Sequence, residues 1–136
     1  MPNLRAKSAS WQDQLQNAEA SFVKSRKMGA RVRACFCPSP LEIKTQLEAI
    51  PFGEARSLSE LRERLASANG AEITCPVTTA RGLKIVTEAA WESRGEDFTT
   101  ITPFWRVLEP EMSLVKRLSC GAEFVETMRR NEGIPS

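Results

Sequence analysis

The sequence contains no histidine among its 136 residues, and this absence argues against several kinds of catalytic and metal site. Histidine is the usual general base near neutral pH and the usual partner of a nucleophilic serine or cysteine. It is also a common ligand of structural zinc. The composition therefore argues against a conventional catalytic triad and against a zinc site of mixed cysteine and histidine.

Long apolar runs are missing as well. No run approaches the roughly 18 residues of a membrane span. The stretch MPNLRAKSASWQDQ lacks the apolar core of a signal peptide, so we expect a cytoplasmic protein with no membrane partner. The apolar fraction of 41% and the charged fraction of 26% are those of an ordinary globular protein.

Four cysteines are present, but their spacing is not that of a zinc site. Cys35 and Cys37 form a C-x-C pair, whereas Cys75 and Cys120 stand alone. Structural zinc sites typically use paired C-x2–4-C spacings. In a reducing compartment we expect four free thiols, and the sequence predicts no metal and no cofactor.

Positive charge is concentrated in residues 1–40, although the whole chain carries a net charge of only +2. This segment has a net charge of +5, from seven cations and two acidic residues. A basic segment on a near-neutral body suits contact with a polyanion, and a solvated tail is the alternative. The cations are Arg5, Lys7, Lys24, Arg26, Lys27, Arg31 and Arg33.

Apolar spacing and capping residues predict a mainly helical domain with a few short strands. Two capping boxes, at 39–42 and 57–60, each open a helix, and Pro76 fits the first turn of another. The segment LEPEMSLVKRLSCG, residues 108–121, has the composition of a loop. The predicted helices cover 9–27, 40–50, 57–70, 76–92 and a segment from 121, and the predicted strands cover 31–37 and 105–108.

The helices over 57–70 and 76–92 could form a helix-turn-helix, in which the second helix approaches DNA. Small hydroxyl side chains and cations lie near its start and could contact phosphates and base edges. A plain αα-hairpin is the alternative. The candidate contacts are Thr78, Thr79, Arg81 and Lys84.

Three segments in order resemble the O6-alkylguanine-DNA alkyltransferases, over about residues 39–133. IPFGEARSLSELRERLA resembles their first helix-turn-helix segment, TPFWRVL occupies the place of their active-site Pro-Cys-His-Arg-Val, and SCGAEFVETMRRNEG resembles their closing S-G-G…E-G segment. The Cys-Pro-x-Thr-Thr segment at 75–79 is similar to one in short bacterial relatives of this family. The resemblance implies a winged helix-turn-helix-like domain over 39–136, as in the alkyltransferase C-terminal domain, preceded by a basic extension over 1–38.

The same resemblance implies DNA binding without alkyl transfer. Phe104 occupies the place of the alkyl-accepting cysteine and Trp105 that of its histidine, and neither can accept an alkyl group by that mechanism. Alkyltransferase-like proteins in which the cysteine is replaced bind DNA, hold a flipped alkylated base and pass the lesion to other repair proteins. We therefore expect a non-enzymatic protein with double-stranded DNA as its partner and repair proteins as further partners.

The implied site has a DNA-contacting part and a base pocket. An extruded base would stack on the aromatics, with Phe104 lining the pocket and Trp105 structural; two core aromatics are the alternative. Arg106 is expected to brace the loop through backbone carbonyls. Leu58 stands where the family has a tyrosine. The DNA-contacting residues are Ser57, Thr78, Thr79, Arg81 and Lys84, and the pocket residues are Leu58, Phe104, Trp105, Arg106 and Ser119.

Two other interpretations remain open. The chain could be a protein-interaction module on a degenerate alkyltransferase fold, with Phe104 and Trp105 forming an apolar docking patch. Acidic residues near that loop would repel phosphates and favour this interpretation; they are Glu109, Glu111, Glu123 and Glu126. A third interpretation is an enzyme that uses Cys120 as a displaced nucleophile, its pKa lowered by neighbouring cations.

Overall fold

A hairpin with a two-residue turn lies near the start of the chain. In the computed structural model, which describes residues 10–135, β1 (Phe22–Met28) pairs antiparallel with β2 (Arg31–Cys37). Gly29 lies in the turn with a φ of 65°, a left-handed conformation that costs glycine little. The predicted strand over 31–37 is confirmed.

The predicted helix over 9–27 is wrong beyond Gln16. The Ser10 side chain caps α1 (Trp11–Gln16) by accepting from the Asp13 N–H at 3.1 Å. The chain then enters β1, because its residues gain a full antiparallel partner in β2 that the helical spacing did not reveal. Position 9 and two of the predicted basic-segment cations, Arg5 and Lys7, lie outside the described residues.

The capping boxes begin helices where they were predicted. Ser39 accepts from the Glu42 N–H at 3.2 Å, and Ser57 accepts from the Glu60 N–H at 3.0 Å. These serines open α2 (Pro40–Glu48) and α3 (Leu58–Ala68). The predictions for α4 (Pro76–Glu92) and α6 (Gly121–Asn131) are also confirmed, and the predicted loop between them contains one short helix, α5 (Ser113–Lys116).

The third strand connects the hairpin to the helices. β3 (Ile73–Thr74) pairs in parallel with β2, placing Cys35 opposite Ile73. The strand order is β1-β2-β3. Residues on both sides of the predicted domain boundary at 38 therefore share one sheet.

The predicted strand over 105–108 is wrong, because Phe104–Arg106 forms a 3-10 turn. The Phe104 N–H donates to the Thr102 carbonyl at 2.9 Å, and the Leu108 N–H donates to the Phe104 carbonyl at 2.9 Å. These local bonds use the backbone groups that a strand would have offered to a neighbour. A second 3-10 turn lies at Phe98–Thr100.

Within residues 10–135 the protein is a mixed α/β domain of six helices and a three-stranded sheet. The expected helix-rich class with a few short strands is confirmed at this level. None of the helices within residues 10–135 combines the length and the apolar character of a membrane span. The main core includes Leu15, Phe36, Ile43, Leu47, Leu61, Leu65, Leu83, Val86, Phe104, Trp105 and Val125.

Candidate functional site

The start of α4 is held beside the hairpin by backbone and side-chain bonds. Cys75 is the residue before the helix, and its N–H donates to the Phe36 carbonyl of β2 at 2.8 Å. Its sulfur accepts from the Thr78 N–H at 3.5 Å and from the Thr78 hydroxyl at 3.3 Å. This arrangement fixes the first turn of α4 against the sheet.

A basic cleft lies between β1 and this first turn, with a volume of about 640 Å³. Four cations, Lys24, Arg26, Lys27 and Arg81, are among its lining residues, and no acidic residue is. The N-terminal end of a helix carries partial positive charge from its aligned peptide dipoles. The four cationic side chains and the N-terminal end of α4 therefore all place positive charge in this cleft. The remaining lining residues are Phe22, Ser25, Cys37, Cys75, Val77 and Thr78.

Three buried cysteines form a cluster, and two of them line the cleft. The sulfur atoms of Cys35, Cys37 and Cys75 are all within 4.8 Å of one another, and Cys37 and Cys75 also line the cleft. Burial would raise the pKa of Cys75, but hydrogen bonds from Thr78 and the positive charge of Lys24 lower it to about 7. For Cys37, burial and the two neighbouring sulfurs raise the pKa.

The thiol cluster is a feature that reasoning from the sequence missed. Cys35 and Cys37 are two residues apart on a strand, so they point to the same face, and Cys75 directly precedes a proline that opens a helix. Both of these features can be predicted from the local sequence. The parallel pairing of β2 with β3, which brings the third sulfur to the first two, was not.

The predicted DNA contacts on α4 separate into exposed and buried groups. Arg81 is exposed and lines the cleft, and Thr78 is half-buried there with its hydroxyl bonded to Cys75. Thr79 is only 1% exposed and donates to the Cys75 carbonyl at 2.7 Å. Its predicted DNA contact is wrong, because the i−4 hydroxyl bond turns the side chain into the protein.

The other two predicted contacts lie away from the cleft lining. The Ser57 hydroxyl is used as the cap of α3. Lys84 is exposed, and its Nζ lies 5.8 Å from the centre of the Trp11 ring, in a cation–π geometry. The structure therefore groups only Arg81 and Thr78 of the five predicted contacts with the hairpin cations.

The predicted base pocket is not formed by its two aromatics. Phe104 is 0% and Trp105 1% exposed, and both belong to the main core. The Trp105 indole Nε1–H donates to the Glu132 carboxylate at 2.7 Å. Stacking an extruded base would require an open ring face, so the expectation for Phe104 is corrected and the alternative of two core aromatics describes the structure.

Arg106 braces its loop, as predicted. Its Nη1 donates to the Ile50 carbonyl at 2.7 Å. Its main partner is Glu132, which it contacts through Nε at 2.8 Å and Nη2 at 2.9 Å. Glu132 was missed, although it is the glutamate of the closing Glu-Gly that resembles the alkyltransferase segment.

The two remaining pocket residues lie elsewhere. Leu58 is half-buried and lines a separate hollow of about 300 Å³ with Pro76 and Met112. Ser119 is exposed, and its N–H donates to the Glu88 carboxylate at 3.1 Å. The five predicted pocket residues are thus not assembled around one opening.

Cys120 is unsuited to act as a nucleophile. It is half-buried, and burial together with the nearby Glu88 carboxylate raises the pKa of its thiol to about 11. The thiolate is the reactive form, so at neutral pH nearly all of this group is the unreactive thiol. Neighbouring cations were expected to lower the pKa of Cys120, but the neighbour that affects it is the Glu88 carboxylate, which raises it.

Comparison of the chain with models of protein families, with curated proteins and with solved structures finds no match.

Proposed function

We propose that this protein is a non-enzymatic DNA-binding protein that holds duplex DNA in the basic cleft. The observation that carries the proposal is the convergence of Lys24, Arg26, Lys27 and Arg81 at the start of α4, with no acidic residue lining the cleft. Phosphates supply most of the attraction between DNA and proteins, and lysine and arginine are the side chains that neutralise them.

Backbone groups add to this attraction. The aligned peptide dipoles of α4 place partial positive charge at its N-terminal end, and this charge favours anions there. Helix α4 has 17 residues, and Val77 and Thr78 of its first turn line the cleft. A phosphate in the cleft would meet both the helix end and the hairpin cations.

The β1–β2 hairpin could make a second contact with DNA. All seven residues of β1 are exposed, and β-ribbons are one of the elements that enter DNA grooves. Apolar side chains are exposed on it and could pack against sugars or base edges in a groove. They are Phe22, Val23, Met28 and Val32.

The resemblance to the alkyltransferases supports the same surface. Under this proposal α3 and α4 are the two helices of a winged helix-turn-helix, with α4 the helix that approaches DNA. Recognition of a flipped base through Phe104 and Trp105 is not part of the proposal, because both rings lie in the core.

A protein-interaction module is the second candidate. Its originally predicted patch at Phe104 and Trp105 is buried. The exposed apolar side chains of the hairpin favour it instead, because exposed apolar patches also mark protein partners. Phe22 is 49% and Val32 64% exposed. Charge removal distinguishes the two candidates, since only phosphate binding requires the cleft cations.

The test is fluorescence anisotropy with a labelled duplex. The double variant Arg26→Ala/Arg81→Ala removes two cleft cations, and we expect DNA affinity to fall about tenfold or more because two phosphate contacts are lost. The matched control Lys116→Ala/Arg130→Ala removes the same charge from exposed positions on α5 and α6. Equal weakening by both variants, or no binding by the unmodified protein, would refute the proposal.

A further inference from the structure

We propose that Cys35, Cys37 and Cys75 form a three-thiolate binding site for a zinc ion. Their sulfur atoms lie within 4.8 Å of one another, and the side chains are 0%, 2% and 8% exposed. The spacing along the chain argued against zinc, because C-x-C is not a paired zinc-ligand spacing. The fold removes that objection by supplying the third sulfur from another segment.

The cluster is built by two neighbouring backbone segments. Cys35 and Cys37 lie on one face of β2, and Cys75 follows β3, the strand paired with β2. The Cys75 N–H bond to the Phe36 carbonyl, 2.8 Å long, holds the third cysteine beside the first two. The backbone thus positions all three sulfurs before any ion binds.

The distances suit zinc. Zinc–sulfur bonds of about 2.3 Å in a tetrahedron place sulfur atoms about 3.8 Å apart. Sulfurs within 4.8 Å of one another therefore need to approach by about 1 Å at most, which side-chain rotation can supply. Three protein ligands leave a fourth position that a water molecule can take, and Cys37 and Cys75 line the basic cleft, from which water can reach the site.

The surrounding charge also suits such a site. Zinc with three thiolates carries a net charge of −1. Lys24 lies opposite Cys35 in the pairing of β1 with β2 and lines the basic cleft together with Cys37 and Cys75, and the start of α4 adds partial positive charge. Thiolates are the form that binds metal.

Zinc at this site would connect β2 to the first turn of α4. β2 is paired along its whole length with β1, which forms the wall of the basic cleft opposite α4, so the ion would fix the hairpin relative to the helix. The inference rests on the three cysteines and their surroundings, and it holds whether or not the cleft binds DNA.

The test uses the full chain, reduced and stripped of metal with a chelator. Titration with Co²⁺, which reports thiolate ligands through charge-transfer absorption, should saturate at one equivalent, and Zn²⁺ should displace it. Saturating Zn²⁺ should raise the Tm by about 10 °C, because a ligand at 100 times its Kd adds about 2.7 kcal/mol.

Cys75→Ser is the most informative variant. Serine is itself a good residue before a helix, so α4 should still form, and the thermal unfolding of the metal-free variant checks this. We expect its Zn²⁺ affinity to fall by about 100-fold or more, whereas the matched control Cys120→Ser should keep the affinity of the unmodified protein. If Cys75→Ser does not fold, Cys37→Ser takes its place. Absence of the charge-transfer band, unchanged affinity in the variant, or equal loss in the control would overturn the proposal.

Discussion

At the scale of single residues, Arg106 and Glu132 join three parts of the chain. Glu132 accepts from the Arg106 guanidinium, from the Trp105 indole and from the Gly53 N–H at 3.0 Å, and Arg106 also reaches the Ile50 carbonyl. The loop after α2, the 3-10 turn and the end of α6 are therefore held by one carboxylate. This contact explains why the charged Arg106 lies among the apolar residues of TPFWRVL.

The first prediction concerns Glu132 and pH. Burial would raise the pKa of Glu132, but the hydrogen bonds from Arg106, Gly53 and Trp105 outweigh burial and hold it below its ordinary value of 4.5. A carboxyl whose pKa is lower in the folded protein stabilises the fold above its unfolded pKa. That stabilisation is lost as the pH falls from about 5 through the folded pKa.

Glu132→Gln should lower the free energy of unfolding at pH 7 by about 3 kcal/mol, because it leaves Arg106 without its carboxylate. It should also flatten the loss of stability below pH 5. Urea unfolding at several pH values measures both effects, with exposed Glu111→Gln as the matched control. A variant whose stability falls with acid as steeply as that of the unmodified protein would contradict this role.

The second prediction concerns Phe104. Its ring lies 5.2 Å from the Trp105 ring and 6.0 Å from the Phe124 ring, centre to centre, in the main core. Phe104→Ala should cost about 3–5 kcal/mol of unfolding free energy, as the loss of a large buried aromatic does. Phe52→Ala is the control, since Phe52 is 69% exposed, and it should cost less than about 1 kcal/mol.

DNA binding supplies the second readout for Phe104. At temperatures where the variant is folded, binding to plain and to O6-methylguanine duplexes should change equally. A small loss of stability together with a selective loss of binding to the modified duplex would contradict this prediction and support the base-pocket hypothesis.

At the scale of elements, the starts of α2, α3 and α4 were predictable and the pairing of strands was not. The serines before α2 and α3 and the proline at the start of α4 are local signals, because capping and proline preferences act within one turn. Residues 22–28 became a strand because β2 lies beside them, and residues 105–108 failed to become one because local bonds satisfied the backbone. Both outcomes depend on partners that a local pattern does not identify.

The candidate site divides in the same way. The basic residues of β1 and Arg81 were identified from composition and helical position, and the structure brings them to one cleft. The burial of Thr79 and Phe104 was not identified, because burial depends on the whole fold, whereas Trp105 was expected to be structural. The resemblance of TPFWRVL to an active-site segment drew attention to the turn at 104–106. It did not show that the ring of Phe104 faces the core.

The third prediction concerns the cap of α3. Ser57→Ala should lower the free energy of unfolding by about 1 kcal/mol, because it leaves an N–H of the first turn without its partner. Ser57→Asp keeps an accepting oxygen and should restore most of the loss. Thermal unfolding of the two variants together measures this. Equal stability of Ser57→Ala and the unmodified protein would show that the cap contributes nothing.

At the scale of the whole molecule, charge is distributed unevenly on a chain of nearly zero net charge. The described cations of β1 join Arg81 at the cleft, while acidic residues of 109–126 lie on later elements. A small net charge therefore does not prevent a locally positive surface, which is what attracts a polyanion. The sheet makes this possible by fixing the basic hairpin beside α4.

The measurement that tests DNA binding in the cleft most directly is the salt dependence of Kd for a duplex. Four cleft cations on phosphates predict that log affinity falls against log salt with a slope of about −3 to −4, at roughly 0.9 per contact. Arg26→Ala/Arg81→Ala should reduce the steepness by about two, and Lys116→Ala/Arg130→Ala should leave it unchanged. A slope near zero in the unmodified protein, or the same slope in the cleft variant, would contradict the account.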